Sequence, residues 1–418
     1  MQKLPQVVNT VLDALETGGY KACLVGGCVR DLLMGRDPTD FDIATNARPE
    51  AIAALFPKTI PTGEKHGTVT VVIDHAHIEV TTFRKDGDYL DHRCPAQVRY
   101  VDEIEEDLAR RDFTMNAVAM DNGGTLTDPF DGRADIAQKT IRSVGDPYLR
   151  FEEDALRMFR AFRFSAQLGF QIEKETLTAI KAQSHLAKTL SAERVRDEIE
   201  KMLCSPHPEI LADVLDYGLL DAYVSTRRGG YHPPALSAMQ VMRTRAAECC
   251  PYRRGGNTQA GAESRPYNAT DHWCIFAAIL QHSGAITDPK AFLKSLRLPR
   301  AVAEQAGEAA SLSQSPLPED VVALKHLLAV HGLETIYRAA EASCCLGHPA
   351  RVEDIQAIIQ SGACYCINDL ALQGKDLLAY GIPQGAELGE TLQTLLAHVI
   401  EHPEANEREI LLELLASL

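Results

Sequence analysis

The stretch Cys23 to Thr45, CLVGGCVRDLLMGRDPTDFDIAT, limits what this chain can fold into more than any other. Ala22 to Val25 is an apolar run of strand length, followed by Gly26 and Gly27 and then by a helical pattern from Val29 to Met34 that Gly35 stops. A double glycine between strand and helix lets the backbone pass close to a ligand, and the amides at a helix start favour an anion, phosphate above all. Asp40, Phe41 and Asp42 come next. In an extended segment alternate side chains lie on one face, so Asp40 and Asp42 point the same way. Two neighbouring carboxylates repel unless a cation sits between them. Hard oxygen ligands suit Mg²⁺, which also accepts phosphate oxygens.

The flanking sequence supplies a scaffold. Residues 1–20 read as a helix with Val7, Val8, Val11, Leu12 and Leu15 on one face. Pro49 to Phe56 reads as a short helix capped by Asn46 or a neighbour. His66 to Ile73 and His77 to Phe83 read as a hairpin turning at Asp74 and His75, with Glu79 and Thr81 on one face. Arg84 to Arg99 is polar and aperiodic, a functional loop by its length. Asp102 to Met120 reads as one helix, with Glu106 and Arg110 as an i,i+4 pair, and Asp128 to Gly132 as a turn. From Asp146 onward the pattern is helical throughout. One helix spans Glu153 to Leu168, and another spans Ser191 to Cys204 with Ser191 as its cap. Further helices are expected at Leu211–Tyr223 and Ala235–Ala246. Residues 249–270 are rich in Gly, Pro and polar residues and read as an exposed insertion.

The helix carrying Glu153, Asp154 and Arg157 presents a row of hydrogen-bonding side chains. Residues three and four apart lie on one helix face, so Asp154 and Arg157 would offer an acceptor beside a fork of donors, with Arg160 and Arg163 continuing the row. Cytosine and adenine each present an amino group beside a ring acceptor and satisfy both. Uracil and guanine place a carbonyl against the carboxylate, at a cost of about 1–3 kcal/mol.

Gly26-Gly27 with Arg30-Asp31, then Asp40-x-Asp42, then Arg110 to Ala117 (RRDFTMNA), then Glu153-Asp154-x-x-Arg157 occur in that order over residues 22–165. The series resembles the polymerase-β-like nucleotidyltransferases. More narrowly it resembles the class II tRNA nucleotidyltransferases, which include CCA-adding enzymes and bacterial poly(A) polymerases. The resemblance implies an α+β polymerase-β-like head at residues 1–145 with a mixed sheet of about five strands, followed by all-α parts. These are a neck that reads the base (146–205), a body (206–330) and a tail that grips tRNA (331–418). It assigns catalysis and Mg²⁺ binding to Asp40 and Asp42, with Glu79 as the candidate for a third carboxylate against a solvent-facing strand glutamate. Triphosphate falls to Gly26, Gly27, Arg30 and Arg111, and ribose to the segment Asp112 to Asn116. Glu153, Asp154, Arg157, Arg160 and Arg163 complete the nucleotide site, and Arg84 to Arg99 matches the family's flexible loop. The implied reaction is template-independent addition of CCA to tRNA 3′ ends from CTP and ATP. A-adding-only or CC-adding-only activity is the alternative, then poly(A) polymerase, which the acidic C-terminal EHPEANEREILLELLASL disfavours. The acceptor arm and elbow of tRNA are the implied RNA contacts.

Composition sets bounds. The 418 residues allow roughly two to four domains. A formal net charge of −16 runs against nucleic-acid binding unless charge is segregated, and the arginines do concentrate between Arg84 and Arg163 while acids crowd the C-terminal end. No apolar run is long enough to span a membrane, and residues 1–21 lack the apolar core of a signal peptide, so the cytoplasm is the expected compartment. The 11 cysteines show no C-x-x-C pair and read as reduced thiols. Two rival classes are a metal-dependent phosphohydrolase, for which His282 and the pair Asp271-His272 are the only material, and a catalytically dead RNA-binding protein, which the intact Asp40 and Asp42 oppose.

Overall fold

The computed structural model describes residues 4–63, 67–86, 98–224, 268–349 and 351–417. The chain divides into two compact units, Met1–Ala222 and Tyr223–Leu418. In the first, α1 (Gln6–Thr17) buries Val8, Val11, Leu12 and Leu15 and leads into β1 (Ala22–Val25), α2 (Gly27–Leu33) and β2 (Asp42–Thr45). Next come α3 (Pro49–Leu55), β3 (Thr59–Gly63), β4 (Thr68–Ile73) and β5 (Ala76–Thr82). A separate hairpin, β6 (Arg84–Asp86) with β7 (Val98–Tyr100), precedes α4 (Ile104–Ala109), β8 (Ala119–Asp121) and β9 (Leu126–Thr127). The unit continues through α5 (Gly132–Gln138), β10 (Thr140–Ile141), α6 (Pro147–Glu153), α7 (Leu156–Leu168), β11 (Gln171–Ile172), α8 (Lys174–Gln183), α9 (Ala192–Leu203) and α10 (Leu211–Asp216).

Seven strands form one mixed sheet in the order β3-β4-β5-β2-β1-β8-β9, against about five expected. Only the β2–β5 pair is parallel, and its register sets Asp42 beside Glu79. β1 is buried on both faces, which is why it reads as a continuous apolar run. Ala22 and Leu24 join α1 and α3 in one core, while Cys23 and Val25 pack with Phe83, Leu108 and Val144 in another.

Several local readings need correction. Asp102 to Met120 is not one helix. α4 ends at Ala109, a 3₁₀ turn covers Thr114–Asn116, and β8 follows. The Asp112 carboxylate accepts the Phe113 amide at 2.8 Å, and Phe113 bridges to Ser143, so local side-chain and sheet bonds displace the helix. The Glu153–Leu168 helix is also broken. α6 stops at Glu153, and Asp154 accepts the Leu156 amide at 3.1 Å, which starts α7 afresh. Helical pattern after Asp146 is interrupted by β11, which pairs parallel with β10. Ser191 precedes α9 without a side-chain capping bond. Asn46 does not cap α3, which opens on Pro49; its amide oxygen instead accepts the Lys21 N–H at 2.8 Å. α10 ends at Asp216, short of Tyr223.

The second unit is helical over its described residues, from Ala269–His282 to Arg408–Ser417. Trp273 and Phe276 are fully buried. Asp271 lies in a buried ion pair with Arg338 at 2.8 Å, a structural role that leaves it unavailable to a His-Asp metal centre. Residues 87–97 of the predicted loop, the predicted Ala235–Ala246 helix and most of the 249–270 insertion lie outside the described residues. No disulfide joins the described cysteines.

One close approach positions the site. A Cβ added at Gly132 would lie 2.2 Å from the Thr114 carbonyl oxygen and 2.6 Å from Val118 Cγ2, so α5 can touch the Thr114–Asn116 turn only through glycine. Gly132→Ala is expected to destabilise the protein by about 1–3 kcal/mol through overpacking, as read in the denaturant midpoint. An unchanged midpoint would contradict this contact.

Candidate active site

A cleft of about 520 Å³ in the first unit is lined by Gly26, Gly27, Arg30, Asp40, Asp42, Arg111, Asp112, Asn116, Asp154, Arg157, Arg160 and Arg163. Every residue singled out from the sequence is therefore gathered here except Glu79 and Glu153. Glu79 is exposed beside Asp42 across the β2–β5 pair, and Glu153 stands behind Arg157 as its ion-pair partner at 2.8 Å.

The sheet side of the cleft begins at Gly26, whose φ of 76° closes the turn between β1 and α2. A Cβ there would sit 3.1 Å from Arg111 Nη1 and 3.8 Å from Asp42 Oδ2, so the glycine leaves open the space between a guanidinium and a carboxylate. Asp42 starts β2, and Asp40 lies two residues before it. The Asp42 carboxylate is open to water in the cleft and yet crowded by protein around its rim. That crowding, with the negative charges of Glu79 and Asp40 outweighing Arg111, raises its pKa above the ordinary value. A carboxyl so perturbed is one that a cation would relieve. Among the described residues no group of three or more His, Cys, Asp and Glu side chains is arranged to hold a metal. Asp40 and Asp42 line the cleft as hard oxygen donors, a donor type that suits an ion that keeps water and phosphate among its ligands.

Behind the glycines runs a chain of charge-assisted bonds. Arg30 donates to Asp31 Oδ1 (2.9 and 2.8 Å) and to Asn116 Oδ1 (2.9 Å). Asn116 Nδ2 donates to Asp112 Oδ1 at 3.2 Å, and Arg160 donates to Asp112 Oδ2 through Nε and Nη2 (2.8 and 2.5 Å). Burial alone would push the Asp112 carboxyl up. Arg160, Asn116 and Arg157 outweigh it and hold the pKa at about 2.

The predicted Glu106–Arg110 surface pair does not form the site's support. Asp107 does, at 1% exposure. Its Oδ1 accepts from Arg110 Nη2 (2.7 Å) and from the Arg84 amide (3.1 Å), and its Oδ2 from Arg111 Nη2 (3.1 Å). Burial of Asp107 works against its charge, but Arg110 and Arg111 together bring its pKa below the ordinary value. The hint in the sequence was a carboxylate three and four residues before a pair of arginines.

The helical wall comes from α6, α7 and α9. Arg157 donates to the carbonyls of Arg150 (3.2 Å) and Arg110 (2.8 Å) as well as to Glu153. Asp154 receives both Arg194 contacts, at 2.9 and 3.2 Å, and Arg163 pairs with Glu198 at 2.6 Å. Arg110, Phe164 and Arg194 line the cleft too, and the sequence reading had not placed them there. Arg194 and Glu198 are four apart on α9, a spacing that could have marked them. Arg111 Nε and Arg194 Nη1 are buried and find no hydrogen-bond partner among the described residues.

A mixed sheet that sets Asp42 at the head of one strand with Asp40 just before it, a glycine turn on the next, and an arginine-rich helical wall opposite are the parts of a nucleotidyltransferase site. Comparison with known proteins agrees. The "Poly A polymerase head domain" family matches residues 22–142, and "tRNA nucleotidyltransferase domain 2" matches residues 266–415. The CCA-adding enzyme of Geobacillus kaustophilus is 39% identical over 406 residues, covering 96% of this chain and 93% of its own. That of Lactobacillus helveticus is 34% identical over 406 residues, covering 96% and 94%. The crystal structure of Bacillus stearothermophilus CCA-adding enzyme in complex with CTP superimposes with a TM-score of 0.79 at 34% identity, over 100% of this chain and 98% of that one. The chain belongs to the CCA-adding enzyme family of tRNA nucleotidyltransferases. Enzymes of this type generally use a divalent metal. No helix among the described residues is long and apolar enough to cross a membrane.

The depressed Asp112 pKa has a signed consequence. A carboxyl at about 2 when folded and 3.8 ordinarily contributes stability that is complete above about pH 4 and lost as pH falls towards 2. The contribution is about 2 kcal/mol. Asp112→Asn is expected to carry its full destabilisation at pH 7 and a smaller one at pH 3, measured by urea unfolding at both. An equal penalty at the two pH values would contradict the Asp112–Arg160 linkage.

Proposed function

We propose that the protein adds CCA to the 3′ ends of tRNA from CTP and ATP, without a nucleic-acid template and with release of pyrophosphate. The observation that carries this reading is that Asp40 and Asp42 line the same cleft as Asp154 and Arg157. A phosphoryl-transfer site and a base-sized pair of acceptor and donors thus face one nucleotide-sized space. Relatives are described as CCA-adding enzymes, and one was crystallised with CTP.

Asp40 and Asp42 would hold Mg²⁺, with Glu79 beside Asp42 adding negative potential. Bound there, Mg²⁺ supplies Lewis-acid activation of the RNA 3′-hydroxyl and neutralises triphosphate charge. The rest is positioning by the chain. Gly26 and Gly27 let the triphosphate approach the backbone, while Arg111 and Arg30 face it with positive charge. Asp112 and Asn116, locked to Arg160 and Arg30, present a fixed polar edge to the ribose. Asp154 accepts the amino group of cytosine or adenine, and Arg157 donates to the neighbouring ring acceptor. Arg194 holds the Asp154 carboxylate in one orientation, so a carbonyl in place of that amino group meets a fixed acceptor and is rejected.

We assign residues 146–205 to the neck, 206–330 to the body and 331–418 to the tail, where the acceptor arm and elbow of tRNA are read through backbone shape. The cytoplasm is the compartment in which that substrate is met.

Incubating the protein with tRNA lacking CCA, Mg²⁺ and each nucleotide in turn tests the reading, with products resolved to one nucleotide. Two C additions from CTP and one A from ATP are expected, with UTP and GTP used at least about 10-fold less well. Incorporation of UTP as readily as CTP would overturn the base-reading role of Asp154 and Arg157. Stopping after CC, or adding only A to tRNA ending in CC, would assign one of the partial activities. Asp42→Ala is expected to abolish incorporation while the unfolding midpoint holds.

A further inference from the structure

Phe164 lies on α7, is 6% exposed and lines the cleft. Three guanidinium carbons surround its ring. Arg163 Cζ is 4.0 Å from the ring centroid, Arg30 Cζ is 5.4 Å away and Arg160 Cζ is 5.5 Å away. The ring is itself held edge-on by Phe113, at 5.8 Å between centroids and 87° between planes. Arg30 comes from α2 and Arg160 and Arg163 from α7, so one side chain receives cations from both walls of the cleft.

Each of these guanidiniums already has a carboxylate partner, namely Asp31 for Arg30, Asp112 for Arg160 and Glu198 for Arg163. A further carboxylate at position 164 would cancel charge that a polyanionic ligand needs. An aliphatic side chain would fill the space and offer the cations no electrostatic attraction. An aromatic ring attracts a cation through its quadrupole and carries no net charge, so it draws three like-charged groups together while leaving their charge in place.

We propose that Phe164 is a positioning residue that holds Arg30, Arg160 and Arg163 on the side of the cleft that meets the triphosphate and ribose, the parts that CTP and ATP share. This rests on the nucleotide-binding reading above and deepens it. Because the three arginines answer to charge, the contribution of Phe164 is the same for CTP and ATP, unlike that of Asp154 and Arg157.

The test uses the full-length protein with tRNA lacking CCA for CTP and tRNA ending in CC for ATP. Parent protein that incorporates neither nucleotide would remove the underlying reading, independently of Phe164. With an active parent, Phe164→Leu is expected to raise KM for both nucleotides by roughly 10-fold and by the same factor, with kcat lowered far less. Replacing Phe164 with 4-fluoro- and then 3,4,5-trifluorophenylalanine keeps its shape and drains the ring quadrupole in steps. KM is expected to climb stepwise with fluorination while the unfolding midpoint stays constant. This series also decides the matter should Phe164→Leu fail to fold. An unchanged KM across the fluorinated series would reduce Phe164 to packing, and a change for only one nucleotide would make it a base reader. Either result overturns the proposal.

Discussion

Guanidinium groups repel one another, and the cleft gathers Arg30, Arg110, Arg111, Arg157, Arg160, Arg163 and Arg194. What makes that arrangement stable is the set of acids standing behind them. Asp107 holds Arg110 and Arg111, Asp112 holds Arg160, Glu153 holds Arg157, Asp154 holds Arg194 and Glu198 holds Arg163. Asp107 and Glu198 are almost wholly out of water, at 1% and 4% exposure. Removing one partner from such a pair leaves an uncompensated charge in a poorly solvated place, at a cost of about 3–5 kcal/mol. The site is therefore a lattice of mutually dependent charges, and its members are not interchangeable.

This lattice reconciles two facts that otherwise conflict. The chain carries a net charge of −16, yet its cleft is lined with arginines. Acidic residues are spent partly as internal counter-ions and partly along the C-terminal end. A formal sum over the chain averages over both and says nothing of the field inside one concave surface, where low-dielectric walls concentrate it. The two cleft walls differ in what fixes them. The sheet wall rests on register, since the parallel β2–β5 pairing sets Asp42 beside Glu79. The helical wall rests on side chains, since Arg157 reaches the Arg110 carbonyl and Arg160 reaches Asp112. Those two contacts tie α7 to the segment that follows α4.

Much of this could be read from the residues before the fold was known. The glycine turn and the arginine row have local causes, namely backbone freedom and helical spacing, so their residues could be named one by one, whereas Asp40 shares the cleft with Asp42 from a bend before the strand and not by strand alternation. What stayed hidden depends on contacts remote in sequence. Asp107 is indistinguishable from Glu105 and Glu106 until α4 is packed against Phe83 and the Arg84 amide. Arg194 and Glu198 gain meaning only when α9 lies against α7. The helix through Asp154 was misread because periodicity does not register a carboxylate that bonds the backbone two residues ahead. The extra strands β9 and β3 were overlooked because Leu126–Thr127 is too short and Thr59–Gly63 too exposed to show alternation.

That interruption at Asp154 has an outcome of its own. In mid-helix, an aspartate swings among rotamers, and whatever binds it must first arrest that motion. Here the backbone has left the helix, the Leu156 amide secures one oxygen and Arg194 Nη2 donates to both. The side chain has little freedom left to surrender. A guest therefore meets a template already cast, and under the proposed reading discrimination becomes a matter of which hydrogen-bond edge matches a stationary surface rather than which guest can coax the surface into shape.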